Sequence, residues 1–137
     1  MLSKVCVRCM NIILVLICVC PAMAQMEPIC EFENIKVPFT LKDEESSFEK
    51  GKYDFELLKM NNIFYLRIKK EGKPVCLKPH GQKVAYKNLS DPEIPQRSKF
   101  RIKRNPALKI AYIIFESGSH HKEYPFLKVR FRMNYEE

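Results

Sequence analysis

The sequence predicts an all-β protein, a single small domain built from seven or eight short strands. Three observations lead there. Beyond residue 50, apolar and polar residues alternate with the period of two that marks half-buried strands. Turn-forming pairs such as Asn61-Asn62, Gly72-Lys73, His80-Gly81 and Asn105-Pro106 punctuate the chain at short intervals. No segment carries an amphipathic helical stripe of convincing length.

The first two dozen residues read as a secretory leader. Lys4 and Arg8 form a basic start, Met10 to Val19 is mostly apolar, and Ala22-Met23-Ala24 offers a small-x-small cleavage pattern. The apolar stretch falls well short of the roughly 20 residues of a transmembrane helix. Residues 1–24 are therefore expected to be removed, leaving residues 25–137 as the secreted domain, with no transmembrane segment. Cys6, Cys9, Cys18 and Cys20 would leave with the leader, so the Cys6-Val7-Arg8-Cys9 motif is a decoy. Cys30 and Cys76 remain, in a compartment where disulfides persist. Their pairing is expected, and the chain-entropy model credits such a loop with about 4 kcal/mol.

Residues 25–34, with Pro28 and Cys30, read as an arm held by that disulfide. Ile35 to Leu41 is expected as an edge strand, because Pro38 lacks the donor a central strand needs. Asp43 to Lys50 is polar and reads as a loop or a single helical turn. Tyr53 to Met60 and Ile63 to Lys69 form a hairpin, since asparagine tolerates the positive φ of a two-residue turn. Pro74 to Leu77 and Lys83 to Lys87 follow as short strands, and residues 88–98, with Pro92 and Pro95, form a loop. Lys99 to Arg104 is a strand that Asn105-Pro106 ends. Ile110 to Glu116 is almost wholly apolar and is expected to be the most buried strand. Gly118 to Glu123 is a polar loop, and Phe126 to Met133 closes the series.

A weak repeat links Gln96-Arg97-Ser98-Lys99-Phe100-Arg101-Ile102, then Tyr112-Ile113-Ile114-Phe115-Glu116-Ser117, then Phe126-Leu127-Lys128-Val129. An earlier copy runs from Ile63-Phe64-Tyr65-Leu66-Arg67-Ile68 to Gly72-Lys73-Pro74-Val75-Cys76-Leu77. This cadence resembles one lobe of a β-trefoil, the fold of ricin-type lectins, interleukin-1-like cytokines and Kunitz-type legume inhibitors. It covers two lobes of three. A β-trefoil-like domain is the favoured architecture, and a disulfide-stapled β-sandwich is the alternative.

Charge is the clearest functional signal. Residues 25–49 carry two lysines and seven carboxylates, whereas residues 50–132 carry 20 basic and seven acidic side chains. Three strand-like runs place cations on alternate positions: Arg67 and Lys69; Lys99, Arg101 and Lys103, followed by Arg104; and Lys128, Arg130 and Arg132. Side by side in one sheet, they would form a cationic outer face containing no carboxylate. Such a face is expected to bind an anionic polysaccharide or an acidic extracellular protein, receptor or membrane surface. Arginine adds bidentate recognition of sulfate or phosphate. Equally, outward lysine and arginine are ordinary on half-buried strands, where they discourage edge-to-edge pairing.

No nucleophile elbow, phosphate-binding glycine loop, zinc-ligand spacing or helical zinc-protease motif is present, so no catalytic residue, metal ligand or cofactor is expected. His120 and His121 beside Ser117 and Ser119 read as a solvated loop. Asn88-Leu89-Ser90 is a glycosylation sequon. The leading expectation is a secreted, non-enzymatic binding or effector protein, such as a cytokine-like, salivary or venom factor, with no nucleic-acid partner. A protease or coagulation inhibitor acting through residues 88–98 or 117–125 comes second, and a small apolar-ligand carrier third.

Overall fold

The computed structural model describes residues 26–86 and 94–137. The expected leader with its Ala24 cleavage site and four cysteines, and the Asn88 sequon, lie outside the described residues. Among the described residues, ten strands form two antiparallel sheets, more than the seven or eight expected, and there is no helix.

The first sheet is ordered β1 (Glu27–Val37), β4 (Gly51–Met60), β5 (Ile63–Lys70), β6 (Lys73–Lys78). Its centre is the hairpin read from Asn61-Asn62. Both asparagines adopt positive φ, 51° and 65°, the left-handed geometry whose twist suits a two-residue hairpin. Glu71 and Gly72 repeat the device between β5 and β6, with φ of 53° and 78°. Residues expected as an arm belong instead to β1, an eleven-residue strand in register with β4. Two irregularities, at Pro28/Cys30 and Phe32/Ile35, bend it. At the second, Asn34 takes φ 55° and its N–H donates to Asp54 Oδ1 at 2.8 Å.

The second sheet is ordered β3 (Ser47–Phe48), β2 (Thr40–Lys42), β10 (Lys128–Glu136), β9 (Ile110–Glu116), β8 (Lys99–Asn105). Strand β10 is its hub. Residues 128–134 pair with β9 and residues 134–136 with β2, while Val129 and Arg130 also meet the two-residue β7 (Gln82–Lys83). Alternation is strict here: Val129, Phe131, Met133 and Tyr135 are buried and the residues between them are not.

One core lies between the sheets. Phe55, Leu57, Leu66 and Ile68 from the first sheet meet Leu41, Ile113, Phe115, Val129 and Phe131 from the second, all at most 2 % exposed. Burying each such side chain stabilises the fold by about 1.5–3 kcal/mol. Phe100 ties the two sheets at one side, 5.4 Å from Phe32 and 4.9 Å from Phe55 between ring centroids.

The expected disulfide is not formed: Cys30 and Cys76 are both free thiols. Topology supplies the reason. Cys30 lies on β1 and Cys76 on β6, with β4 and β5 between them. Three interstrand spacings of about 4.8 Å separate the two strands. A disulfide requires Cα atoms within about 7 Å.

Candidate functional site

Three strands of the second sheet, β8, β9 and β10, position the cationic residues. Phe100 and Ile102, Ile113 and Phe115, and Val129, Phe131 and Met133 all turn into or against the core. Pleating therefore sends their neighbours to the opposite face. Register aligns those neighbours in three cross-strand rows: Lys99, Glu116, Lys128; Arg101, Ile114, Arg130; and Lys103, Tyr112, Arg132. Tyr112, Ile114 and Glu116 of β9 are thus each flanked by a cation on both sides, whereas Ile110 lies between Asn105 and Asn134.

The rows are not free of carboxylate, as the sequence had suggested. Glu116 sits at one end, 7 % exposed. Its Oε1 lies 3.4 Å from Arg101 Nη2 and 3.8 Å from Lys128 Nζ, and Tyr86 OH donates to its Oε2 at 3.4 Å. Burial, reinforced by the Glu116 charge and hydrogen bond, pushes the Tyr86 phenol up to about 12. Lys128 Nζ lies 5.6 Å from the centre of the Tyr86 ring.

Arg130 is held from two sides. Its Nε donates to Gln82 Oε1 at 2.8 Å, and its guanidinium lies 5.0 Å from the Tyr112 ring centre. Such contacts fix the side chain before any ligand arrives and lower the ordering cost of binding. Lys99, Lys103 and Arg132 are exposed and form no ion pair among the described residues. Between the rows lies a cleft of about 500 Å³ whose lining includes Arg101, Lys103, Arg104, Tyr112, Ile114 and Arg130.

Two expected members stand in the other sheet, and a third, Arg104, reaches the cleft but is engaged with other side chains. Arg67 and Lys69 are on β5, in the other sheet, and are occupied. Arg67 pairs with Glu56 (Nε to Oε1, 2.7 Å), and Lys69 lies 3.1 Å from Glu31 and 4.0 Å from Glu56. Arg104, one residue past Lys103, has the opposite parity. It lies over Phe39 and Tyr135, 4.9 and 5.9 Å from their ring centres, and meets Glu137 at 3.2 Å. Six cations therefore share the face: Lys99, Arg101, Lys103, Lys128, Arg130 and Arg132.

The 117–125 loop is strapped down. Ser119 and His120 donate backbone N–H groups to Pro95 and Gln96 at 3.0 and 3.1 Å. Ser117 Oγ donates to the Tyr124 carbonyl and accepts from Leu127 N–H at 3.1 Å. His121 Nδ1 accepts from Tyr124 N–H at 2.9 Å, and its Nε2 lies 3.3 Å from the Ile29 carbonyl. These side chains pin the loop to β1 and to the loop's own base.

Sequence reasoning missed the partners inside the face, Glu116, Tyr112 and Ile114. One signal was present: Glu116 ends an otherwise apolar strand, where a buried carboxylate demands cationic neighbours. Compared with protein-family models, curated proteins and solved structures, the chain matches none.

Proposed function

We propose that the protein is a secreted, non-enzymatic binding protein whose β8–β9–β10 face holds a sulfated extracellular polysaccharide. The observation that carries this reading is the register that sets six cations in pairs on either side of β9. Along a strand, same-face residues repeat every ~6.8 Å, and across two strand spacings every ~9.6 Å, which makes a two-dimensional grid of positive charge. A polymer with an anionic group on each sugar unit engages several points of such a grid at once. Arg101, Arg130 and Arg132 add paired N–H donors for each sulfate. Secretion, supported by Lys4, Arg8, the apolar stretch from Met10 and the Ala22-Met23-Ala24 site, places the face among such polymers. Of the two architectures the sequence left open, the pair of facing sheets supports the sandwich.

The test is elution of the purified protein from heparin and from a sulfonate resin of matched charge density, beside a Lys99/Arg101/Lys103 to serine variant. Later elution from heparin, lost in the variant, supports the reading. Equal elution from both resins refutes it and reduces the rows to a solvated sheet face.

A further inference from the structure

Beside the cationic rows lies a second concavity, of about 670 Å³, where the edge strands of the two sheets meet. Strand β1 ends one sheet and β8 ends the other, and no ladder joins them. Side chains bridge the gap instead. Phe32 and Phe100 stack at 5.4 Å, and with Ile35 they give the concavity an apolar wall; all three are only partly buried. The rest of the lining is mostly polar: Lys99, Arg101 and Lys128 accompany one carboxylate, Glu116, with Tyr86 and Ser98. A site of this size, apolar on one side and carrying a few polar groups on the other, is typical of small-molecule pockets.

Two features decide what fits. Three cations against one carboxylate leave excess positive charge, so a bound head group is an anion. Only Arg101 and Lys128 are engaged with Glu116, leaving Lys99 free of an ion pair among the described residues. The aromatic pair lines the same concavity, so the rest of the ligand is hydrophobic. We propose that this slot binds a small amphiphilic monoanion, with its carboxylate on Lys99 and Arg101 and its apolar body against Phe32, Ile35 and Phe100. The site shares its cations with the polysaccharide-binding face but takes Phe32 and Ile35 from β1, which that face does not use. The two readings therefore fail separately.

The test is calorimetric titration of the purified protein with decanoate, decanol and decyltrimethylammonium. Decanoate is expected to bind one per chain and at least tenfold more tightly than the cationic amphiphile. Ile35→Ser and Lys99→Glu are each expected to weaken decanoate binding at least fivefold. Only Lys99→Glu should shift heparin elution. As a check that needs no variant, backbone amide shifts of Phe32, Ile35, Lys99 and Phe100 should move on titrating the unmodified protein. Absence of decanoate binding, equal binding of the cationic amphiphile, or shifts confined to other residues would each overturn the proposal.

Discussion

Arg101 and Arg130 stand in register with the same residue, Ile114, one on each side of it. Ile114 faces outward yet is only 5 % exposed. The two guanidinium groups have different local partners. Arg101 reaches Glu116, whereas Arg130 is held by Gln82 and Tyr112. The face is thus partly neutralised at its Glu116 end and open at its Arg132 end. That gradient makes its members unequal in ways that mutation can read.

Arg67 provides the contrast. Its partner Glu56 is 5 % exposed, and removing the arginine leaves that carboxylate with Lys69 alone, at 4.0 Å. Arg67→Ser is expected to lower stability by about 1–3 kcal/mol and to leave heparin elution close to wild type. Urea denaturation and the heparin column together check this. A large loss of heparin retention would show that the first sheet belongs to the binding surface.

Glu116→Gln removes the one negative charge from the rows while keeping the side chain's shape. Later elution from heparin is expected, because Arg101 and Lys128 are released to the ligand. Stability should fall by about 1 kcal/mol as two charge-assisted contacts weaken. Tyr86 should titrate below about 12, since the Glu116 charge and hydrogen bond help hold it there. Absorbance titration of the phenolate band, compared between variant and wild type, reads that shift.

Alkaline pH should destabilise the protein in a defined window. Burial, with the Glu56 charge adding to it, raises the Cys30 thiol from 9.0 to about 12, and Tyr86 is raised from 10.0 to about 12. Both groups are neutral when protonated, so the unfolded chain loses its protons first as pH rises. Stability is therefore full below pH 9 and declines from there toward pH 12. Cys30→Ala should flatten the part of the decline that begins near pH 9, measured as Tm against pH. An unchanged slope would mean that Cys30 is more solvated than its packing against the core implies.

Gly81 occupies a place where no side chain fits. A Cβ there would lie 2.5 Å from Phe131 Cζ and 2.7 Å from Val129 Cγ1, while the Gly81 N–H donates to the Phe64 carbonyl at 2.9 Å. Gly81→Ala is expected to cost about 1–3 kcal/mol through displaced core side chains. Thermal melts check the magnitude, and loss of amide protection at Gly81 and Val84 checks the location.

Local signals in the sequence were read well where one turn decided the outcome. Asn61-Asn62 located the β4–β5 hairpin, and Asn105-Pro106 ended β8 to within a residue. Alternation in Lys128 to Arg132 separated the core face from the outer face. What the chain did not display was which strand lies beside which. Arg67 and Lys69 repeat the pattern of the β8 cations, and only sheet topology reveals that they belong to another sheet with carboxylate partners. Cys30 and Cys76 failed as a pair for the same reason: a loop-closure argument weighs separation along the chain and is blind to the two strands lying between them. Residues 27–34 were missed as a strand because β1 is broken by irregularities at Pro28 and Asn34, which blur its period of two.

Pairing of β2 with β10 has a consequence for the order of folding. The Lys42–Glu136 ion pair at that ladder joins residues 94 apart in the chain, whereas β4, β5 and β6 follow one another through two-residue turns. Closing a long loop is entropically costly and is repaid only once many contacts form together. The β4–β5–β6 meander is thus the natural nucleus, with β10 docking late as the piece that unites three otherwise separate neighbours. Weakening the β10 ladder should then speed unfolding while leaving the refolding rate almost unchanged.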